Sequence, residues 1–274
     1  MNAMLRPRTL DIGIGGTWVR LRTDSPEFVA SMAGRFAGFI GEVAAPDHEF
    51  DVELVPPQAG GADAPEDEVS VVRDGALWRV SRGDFRAEWD PRTRRGHARL
   101  VASPYSLDSV IRILHTLLLA GQGGMLMHAS SAILDGRAWV FTGVSGVGKT
   151  TISRLAPAHA HILTDEMSFI RRENAGYRAH GTPFSGELAR PGENLSAPLA
   201  GVFLLAQGRE NRIDPLSPAE AVRGLMANIL YFARDEALTA QVFDNAIALA
   251  ARVPVRRLTF VRDPRVWDLI GAVA

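Results

Sequence analysis

The sequence has no cysteine, almost no net charge and no long uninterrupted apolar run. Without cysteine there is no disulfide framework, no thiolate metal site and no cysteine nucleophile. A formal net charge of −1 over 274 residues supplies no field for general nucleic-acid binding, which needs a strongly positive surface. The most apolar stretch, VIRILHTLLLAGQGGMLM (110–127), is interrupted by Arg112, His115 and three glycines. A membrane span needs about 20 mostly apolar residues, so this stretch reads as a buried helix followed by a turn and a strand. The opening residues, MNAMLRPRTLDIGIGG, lack the continuous apolar core of a secretory leader. These absences lead to the expectation of a cytoplasmic protein with neither a nucleic-acid nor a membrane partner.

What is present is a hydrophobic content of 46%, enough for a substantial core in one large or two small domains. TWVRLRTD (17–24), EFDVELVP (49–56), ALWRVSRG (76–83) and DFRAEWD (84–90) carry β-branched or aromatic residues and read as strands. SPEFVASMAGRFAGFIG (25–41) reads as a helix between them, and PPQAGGADAPEDE (56–68) as a mobile surface loop. From Ser106 the period changes: Leu107, Val110, Ile111, Leu114, Leu117 and Leu118 share one helical face, with Gly121 as a stop.

LMHASSAIL (126–134) and RAWVFTG (137–143) are strand-like and flank Asp135-Gly136, a strong hairpin signal. HILTDEMSFIRREN (161–174) and YRAHGTPF (177–184) form a second strand pair around Asn174-Ala175-Gly176, and AGVFLLAQ (200–207) reads as a buried strand. Ser217-Pro218-Ala219-Glu220 supplies an N-cap, a first-turn proline and a capping glutamate. Helices to about 251, a strand at 255–261 and a terminal helix complete the chain. The expected fold class is α/β, with a smaller β-rich domain over 1–104 and a nucleotide-binding domain over 105–274.

Gly143-Val144-Ser145-Gly146-Val147-Gly148-Lys149-Thr150 satisfies G-x-x-x-x-G-K-[ST], the P-loop pattern. Its glycines permit backbone angles other residues avoid and let phosphate oxygens approach the amides. A helix opening at Lys149 would turn its positive end toward the same anion. Lys149 adds a charge for the β- and γ-phosphates, Thr150 has the hydroxyl that ligates Mg²⁺, and Thr151 continues the binding turn. The cofactors expected are ATP, or another purine nucleoside triphosphate, and Mg²⁺.

Asp165-Glu166 ends the apolar run Ile162-Leu163-Thr164, sixteen residues after Lys149. One short helix fits in that interval, so the strand is expected to return beside the P-loop strand and present both acids near the phosphates. One acid could bind Mg²⁺ while the other accepts a proton from an attacking hydroxyl; solvated charges at a strand end are the alternative. His128, fifteen residues before Gly143, returns to the same neighbourhood through the hairpin. A lone histidine on an apolar strand is, as a rule, a core residue.

Together, MHASSAILDGRAWVFTGVSGVGKTT and HILTDE resemble the catalytic core of HPr kinase/phosphorylase and its relatives, which share a nucleotide fold with phosphoenolpyruvate carboxykinase. The likeness covers roughly residues 125–185 and continues weakly to the C-terminus. It implies a P-loop kinase domain in which Lys149 binds phosphate, Thr150 binds Mg²⁺ and Glu166 is the proton acceptor. Asp165 would be the metal-associated neighbour, and His128 would support the acids or the attacking hydroxyl. It also implies assembly into multimers, hence a homo-oligomer. By the same resemblance, PVRRL (254–258) is similar to an arginine segment that touches the phosphoryl group, making Arg256 either a candidate for stabilising transferred charge or a surface arginine at a strand end.

The sequence departs from that family in three places. Its acidic pair is Asp-Glu where the family has Asp-Asp, and GTPFSGELARPGE (181–193) lacks the arginine- and glycine-rich signature linked to HPr recognition and phosphorolysis. The N-terminal unit does not match either. GTPF is more similar to divergent HPr-kinase-related proteins, including some that phosphorylate precursor peptides. Within that loop Glu187 is either a further Mg²⁺ ligand or a surface acid. RTRRGHAR (92–99) reads as a solvated hairpin tip or as a contact for an acidic peptide, and His159 and His161 lack the companions of a zinc site.

The resulting expectation is a kinase that moves a γ-phosphoryl group to a hydroxyl, most simply a serine of a protein or peptide, with the N-terminal domain as candidate acceptor-binding unit. A nucleotide-dependent regulatory or assembly module that transfers nothing, and a kinase of a small hydroxylated metabolite, are compatible with the same residues.

Overall fold

Alternation of inward apolar and outward charged residues dictates the first half of the chain. In this computed structural model, which describes residues 8–56, 68–174, 176–188 and 191–273, that half forms an eight-stranded sheet. Its elements are β1 (Arg8–Ile14), β2 (Thr17–Thr23), α1 (Pro26–Arg35), β3 (Ile40–Gly41), β4 (His48–Val55), β5 (Ser70–Asp74), β6 (Leu77–Arg82), β7 (Phe85–Asp90) and β8 (Arg95–Val101). The strand order is β3-β1-β2-β4-β8-β7-β6-β5, with β2–β4 and β4–β8 parallel and the other pairs antiparallel. On β7, Phe85, Ala87 and Trp89 are buried while Arg86 and Glu88 face out, as a period of two requires.

Helix α1 is shorter than the 25–41 expected. Ser25 caps it by accepting from the Phe28 amide at 3.1 Å, but it stops at Arg35. Gly38 then takes φ +85°, and Phe36 and Phe39 enter the core on either side of the turn. The basic run 92–99 is divided between the β7–β8 turn and β8 itself. The acidic loop expected within 56–68 lies, beyond Pro56 and Glu68, outside the described residues, as does Ala175 of the second expected hairpin turn.

Chain contacts separate two units: 1–115 with 232–239, and 116–231 with 240–274. The division falls within α2 (Pro104–Gly121) rather than at 104/105, and 232–239 returns to the first unit, where Ala233 bridges Val71.

The second unit contains β9 (Met125–Leu134), β10 (Arg137–Thr142), α3 (Lys149–Arg154), β11 (His161–Thr164), β12 (Met167–Glu173), β13 (Gly176–His180), β14 (Ser196–Gln207) and β15 (Arg212–Pro215). It continues with α4 (Pro218–Met226), the greater part of α5 (Glu236–Ala250), β16 (Val255–Phe260) and α6 (Val266–Gly271). Its strands run β10-β9-β12-β13-β14-β16-β15, with β11 beside β9. A further β10–β14 pairing closes β10, β9, β12, β13 and β14 into a ring of neighbours. The two longest strands make this possible: β9 pairs with β12 through its first residues and with β10 through its last, and β14 divides in the same way between β13 and β10.

Trp139, Phe141, Phe203 and Trp267 form the aromatic centre, with Phe141 and Phe203 stacked at 5.7 Å and Phe141 edge-on to Trp267 at 5.3 Å. The Trp267 indole donates to the Ile152 carbonyl at 3.0 Å, fastening α6 to α3. Truncating one such aromatic is expected to cost about 3–5 kcal/mol, and this packing underlies the loop preceding α3. The molecule is thus mixed α/β, with two large sheets and several helices. Among the described residues no helix is long and apolar enough to cross a membrane.

Candidate nucleotide site

Residues 135 and 136 set the site's register. Asp135 and Gly136 both have positive φ (49° and 74°), the two-residue turn that matches strand twist. Leu134 then faces Arg137 and Ala129 faces Thr142, so β9 returns His128 to the exit of β10. There the Thr142 hydroxyl donates to the His128 carbonyl at 2.9 Å.

The chain next turns through Gly143–Gly148. Gly143, Gly146 and Gly148 have φ of 149°, 76° and 120°, and a Cβ on Gly148 would lie 2.7 Å from the Phe260 ring. Both the angles and the space therefore require glycine at 148. Val147 is buried in the aromatic core and anchors the loop from below, while Val144, Ser145 and Gly146 are exposed. The Gln207 amide donates to the Gly146 carbonyl at 3.1 Å.

Lys149 is only 8% exposed, and its Nζ donates to the carbonyls of Gly143 at 3.1 Å and Val144 at 3.5 Å. Among the described residues it has no salt bridge. Burial lowers its pKa, against the opposing pull of Glu166 and Glu187. Ser130 on β9 and Ser153 on α3 both donate to the Lys149 carbonyl at 3.2 Å, fixing the start of the helix to the sheet. Thr150 and Thr151 are half-buried on the first turn. With six residues, α3 adds fewer than two turns of aligned dipoles. Attraction for an anion rests on the loop amides and Lys149 rather than on a long helix.

Asp165 and Glu166 occupy the break between β11 and β12. The Thr164 hydroxyl accepts the amides of Glu166 at 3.2 Å and Met167 at 3.1 Å, bending the chain there. The expected pairing beside the P-loop strand does not occur: β11 pairs with β9, because the other edge of β10 is already taken by β14. The acids reach the loop through β9 instead. Thr164 faces Ser131, Met167 faces His128, and the Ala129 amide donates to the Glu166 carbonyl at 3.1 Å.

The two carboxylates then diverge. Asp165, 3% exposed, accepts the Gly186 amide at 3.0 Å and the Leu188 amide at 2.7 Å, and so holds the 181–188 loop. Glu166 is partly exposed and faces His128, with Nε2 and Oε1 3.9 Å apart. That separation permits charge attraction but is too long for a hydrogen bond. Burial, followed by the nearby Lys149 charge, lowers the His128 pKa, while Glu166 acts to raise it, so the imidazole is neutral at pH 7. A Cβ at Gly186 would lie 2.6 Å from Glu166 Oε2, which explains a glycine where the loop passes the acids.

Glu187, between the two amides that Asp165 holds, is exposed and close enough for its charge to act on Lys149. Among the described residues no group of three His, Asp or Glu forms a ready metal cage. The hydroxyl of Thr150 and the carboxylates of Glu187 and Glu166 are nonetheless hard oxygen donors. They suit Mg²⁺, which keeps several waters and shares its coordination with phosphates.

Arg256 is not brought into this group. It pairs across from Phe203, four residues before the Phe260 that underlies Gly148, or about 13 Å of strand. Among the described residues it bonds neither the loop nor the acids. His161 pairs with Glu193 at 2.8 Å on the surface rather than with His159. The residues that sequence reasoning passed over are Ser130, Thr142, Thr164 and Gly186. Two adjacent serines inside an otherwise apolar strand were the available signal for the first.

A family model described as ScmC: SynChlorMet cassette protein ScmC matches residues 105–273, more than half of the chain. No curated protein matches it.

Proposed function

The chain belongs to the SynChlorMet cassette protein ScmC family, and for this member we propose an ATP-dependent phosphotransferase acting in the cytoplasm on a hydroxyl of a protein or peptide. Its second unit would be a P-loop kinase domain of the HPr kinase type. One observation carries this reading: a buried lysine lies across its own glycine loop without an acid partner, while Glu166 and Glu187 lie within range of its charge. A lysine that served only the fold would be paired; this one leaves its charge available to an incoming anion.

In this reading the amides of 143–150 and the Lys149 ammonium neutralise the β- and γ-phosphate oxygens. Thr150 and Glu187 would hold Mg²⁺, which when bound supplies further charge neutralisation to the transferring group. Glu166 takes the proton of the acceptor hydroxyl, whose oxygen bonds to the γ-phosphorus as the bond to the β–γ bridging oxygen breaks and ADP leaves. Neutral His128 lines the Glu166 side of the site and adds no positive charge beside that carboxylate. Asp165 acts at one remove by holding the loop that bears Glu187.

The test is transfer from γ-labelled ATP with Mg²⁺ to a cell lysate and to peptides encoded beside the gene, comparing wild type with Lys149→Ala. The proposal expects label on a discrete acceptor, in a base-labile or acid-stable form assignable to serine, and its loss in the variant. ATP binding that depends on Lys149, with neither a labelled acceptor nor hydrolysis, would replace the kinase with a regulatory or assembly module. Label on a small metabolite alone would keep the chemistry and overturn the peptide acceptor.

A further inference from the structure

The outward face of the first sheet places charges in register rows that cross its strands. One row reads Asp11, Arg20, Glu49, Arg95, Asp90, and the next reads Arg22, Asp51, His97, Glu88, Arg79. Acids and arginines alternate along these rows, as cross-strand pairing favours, with the His97 ring between Asp51 and Glu88. The third row breaks the rule. It reads Glu53, Arg99, Arg86, Ser81, so two guanidinium groups lie directly across from each other on β8 and β7.

Glu53 satisfies Arg99 at 2.9 Å, but Arg86 has no ion pair among the described residues. The remaining arginine nearby, Arg82, is engaged: it donates to Asp84 at 2.6 and 2.8 Å and lies over the Phe85 ring at 5.0 Å, and Asp84 also accepts the Ser106 hydroxyl. One positive charge is thus left over, and it borders a cavity. Three arginines and a single aspartate line a space of about 360 Å³, whose apolar wall is Val55, Pro56 and Val101. Val55 and Val101 face each other in the row after Glu53 and Arg99, so apolar and cationic surfaces adjoin on one sheet face. A volume of this size is at the lower end of ligand sites, and it is open to solvent on one side.

We infer that this cavity is a docking site for a peptide segment that offers one carboxylate to Arg86 and Arg99 and an adjoining apolar side chain to Val55, Pro56 and Val101. A guanidinium pair matches a carboxylate in charge and in its forked geometry, and the carboxylate restores the missing negative step of the row. The apolar wall selects against a bare carboxylate, because only a ligand with attached hydrocarbon removes it from water. The open side admits a chain that enters and leaves. The site lies in the unit that lacks the phosphate loop and stands apart from the phosphotransfer reading. If both hold, it supplies the acceptor recognition that the chemistry itself does not.

The experiment is fluorescence anisotropy on the full chain without nucleotide, so its outcome is independent of any transfer assay. The probes are fluorescein-labelled hexapeptides with one Glu flanked by Leu or Phe, set against the same peptides with Gln. The Glu peptides are expected to bind at least about tenfold more tightly, and Arg86→Gln is expected to abolish that preference while the thermal midpoint stays unchanged or rises. Arg86→Glu should reverse it toward Lys-containing peptides. Equal binding of Glu and Gln peptides, or a preference that survives in Arg86→Gln, overturns the site. Displacement of the peptide by acetate at equal carboxylate concentration overturns the peptide as its occupant.

Discussion

Across the first sheet acids and bases answer one another strand by strand. Asp11 holds Arg20 through two bonds of 2.7 Å, and Arg79 reaches Glu88 and Asp74 at 2.9 and 2.5 Å. In the second unit the charges around the glycine loop are arranged differently. Lys149 is held by carbonyls, Asp165 by amides, and Glu166 faces a histidine at 3.9 Å. Paired side-chain charges leave little field for a ligand, whereas charges oriented by backbone groups keep theirs. The second arrangement costs stability locally, as the lowered pKa of Lys149 records, and is what a binding site for an anion requires.

The comparison breaks most visibly at Glu166. Glu166→Gln keeps the shape of the side chain and removes its ability to take a proton. Transfer is expected to fall about 10²–10⁴-fold, the range for loss of a general base, while nucleotide affinity measured by equilibrium binding stays within about threefold. Transfer that persists at wild-type rate in Glu166→Gln would exclude this residue as the base.

Two buried carboxylates, one from each unit, sharpen the contrast. Asp11 has its pKa lowered first by the bond from Arg20 and also by that from the Val43 amide. Asp11→Asn turns an amide toward a guanidinium and is expected to cost about 2–3 kcal/mol, below the full range for a broken buried pair because Arg20 is one-fifth exposed. Asp165→Asn keeps one acceptor oxygen and loses the other, for about 1–2 kcal/mol. Its signature lies elsewhere: hydrogen exchange at the 186 and 188 amides should speed up, and the Mg²⁺ concentration needed for half-maximal transfer should rise. Urea unfolding and exchange mass spectrometry separate the two cases, and equal effects on exchange at 186–188 in both variants would undo the distinction.

Acid should weaken both units alike. His115 in the first unit is buried and His180 in the second largely so, and this desolvation lowers their pKa to about 4 from 6.5. The unfolded chain therefore takes up protons first as pH falls, and stability present above pH 6.5 is lost progressively toward about pH 4. Each histidine should remove roughly 2 kcal/mol between pH 7 and pH 5. Thermal midpoints are expected to drop across that interval, with a smaller drop in His115→Gln and in His180→Gln. A midpoint that is flat from pH 7 to pH 5 would show that these imidazoles are not held neutral.

Local chemistry made much of this molecule readable from sequence. The Asp135-Gly136 turn, the Ser217 cap with its Glu220 capping box, and the strands at 49–56 and 84–90 depend on neighbours a few residues apart, and all form. What stayed hidden depends on distant partners. β5 is a short, mostly exposed strand fixed by β6 beside it. In β1, Leu10, Ile12 and Ile14 alternate at a period of two, but the strand carries Gly13 and runs into Gly15 and Gly16, which read locally as a loop. The pairing of β11 with β9 followed from β14 occupying β10, a competition between strands more than thirty residues apart. At the site, the motif identified Lys149 and the acidic pair, but not the direction each acid takes. That depends on which amides arrive from 186 and 188, and a carboxylate in sequence carries no sign of them.

The smallest effect tests the other side of the comparison. Arg79 is half exposed and sits between Asp74 and Glu88, themselves more than half exposed, in the most regular part of the charge lattice. Water screens such pairs, and holding the long side chains in place offsets most of the gain, so Arg79→Gln should cost no more than about 0.5 kcal/mol. Raising the salt concentration should shrink even that, because exposed pairs are screened while Asp11–Arg20, being more buried, is not. Parallel urea titrations of Arg79→Gln and Asp11→Asn at low and high salt measure both terms. If the exposed pair proves as costly as the buried one, the lattice acts as a cooperative network rather than as a set of separately screened contacts.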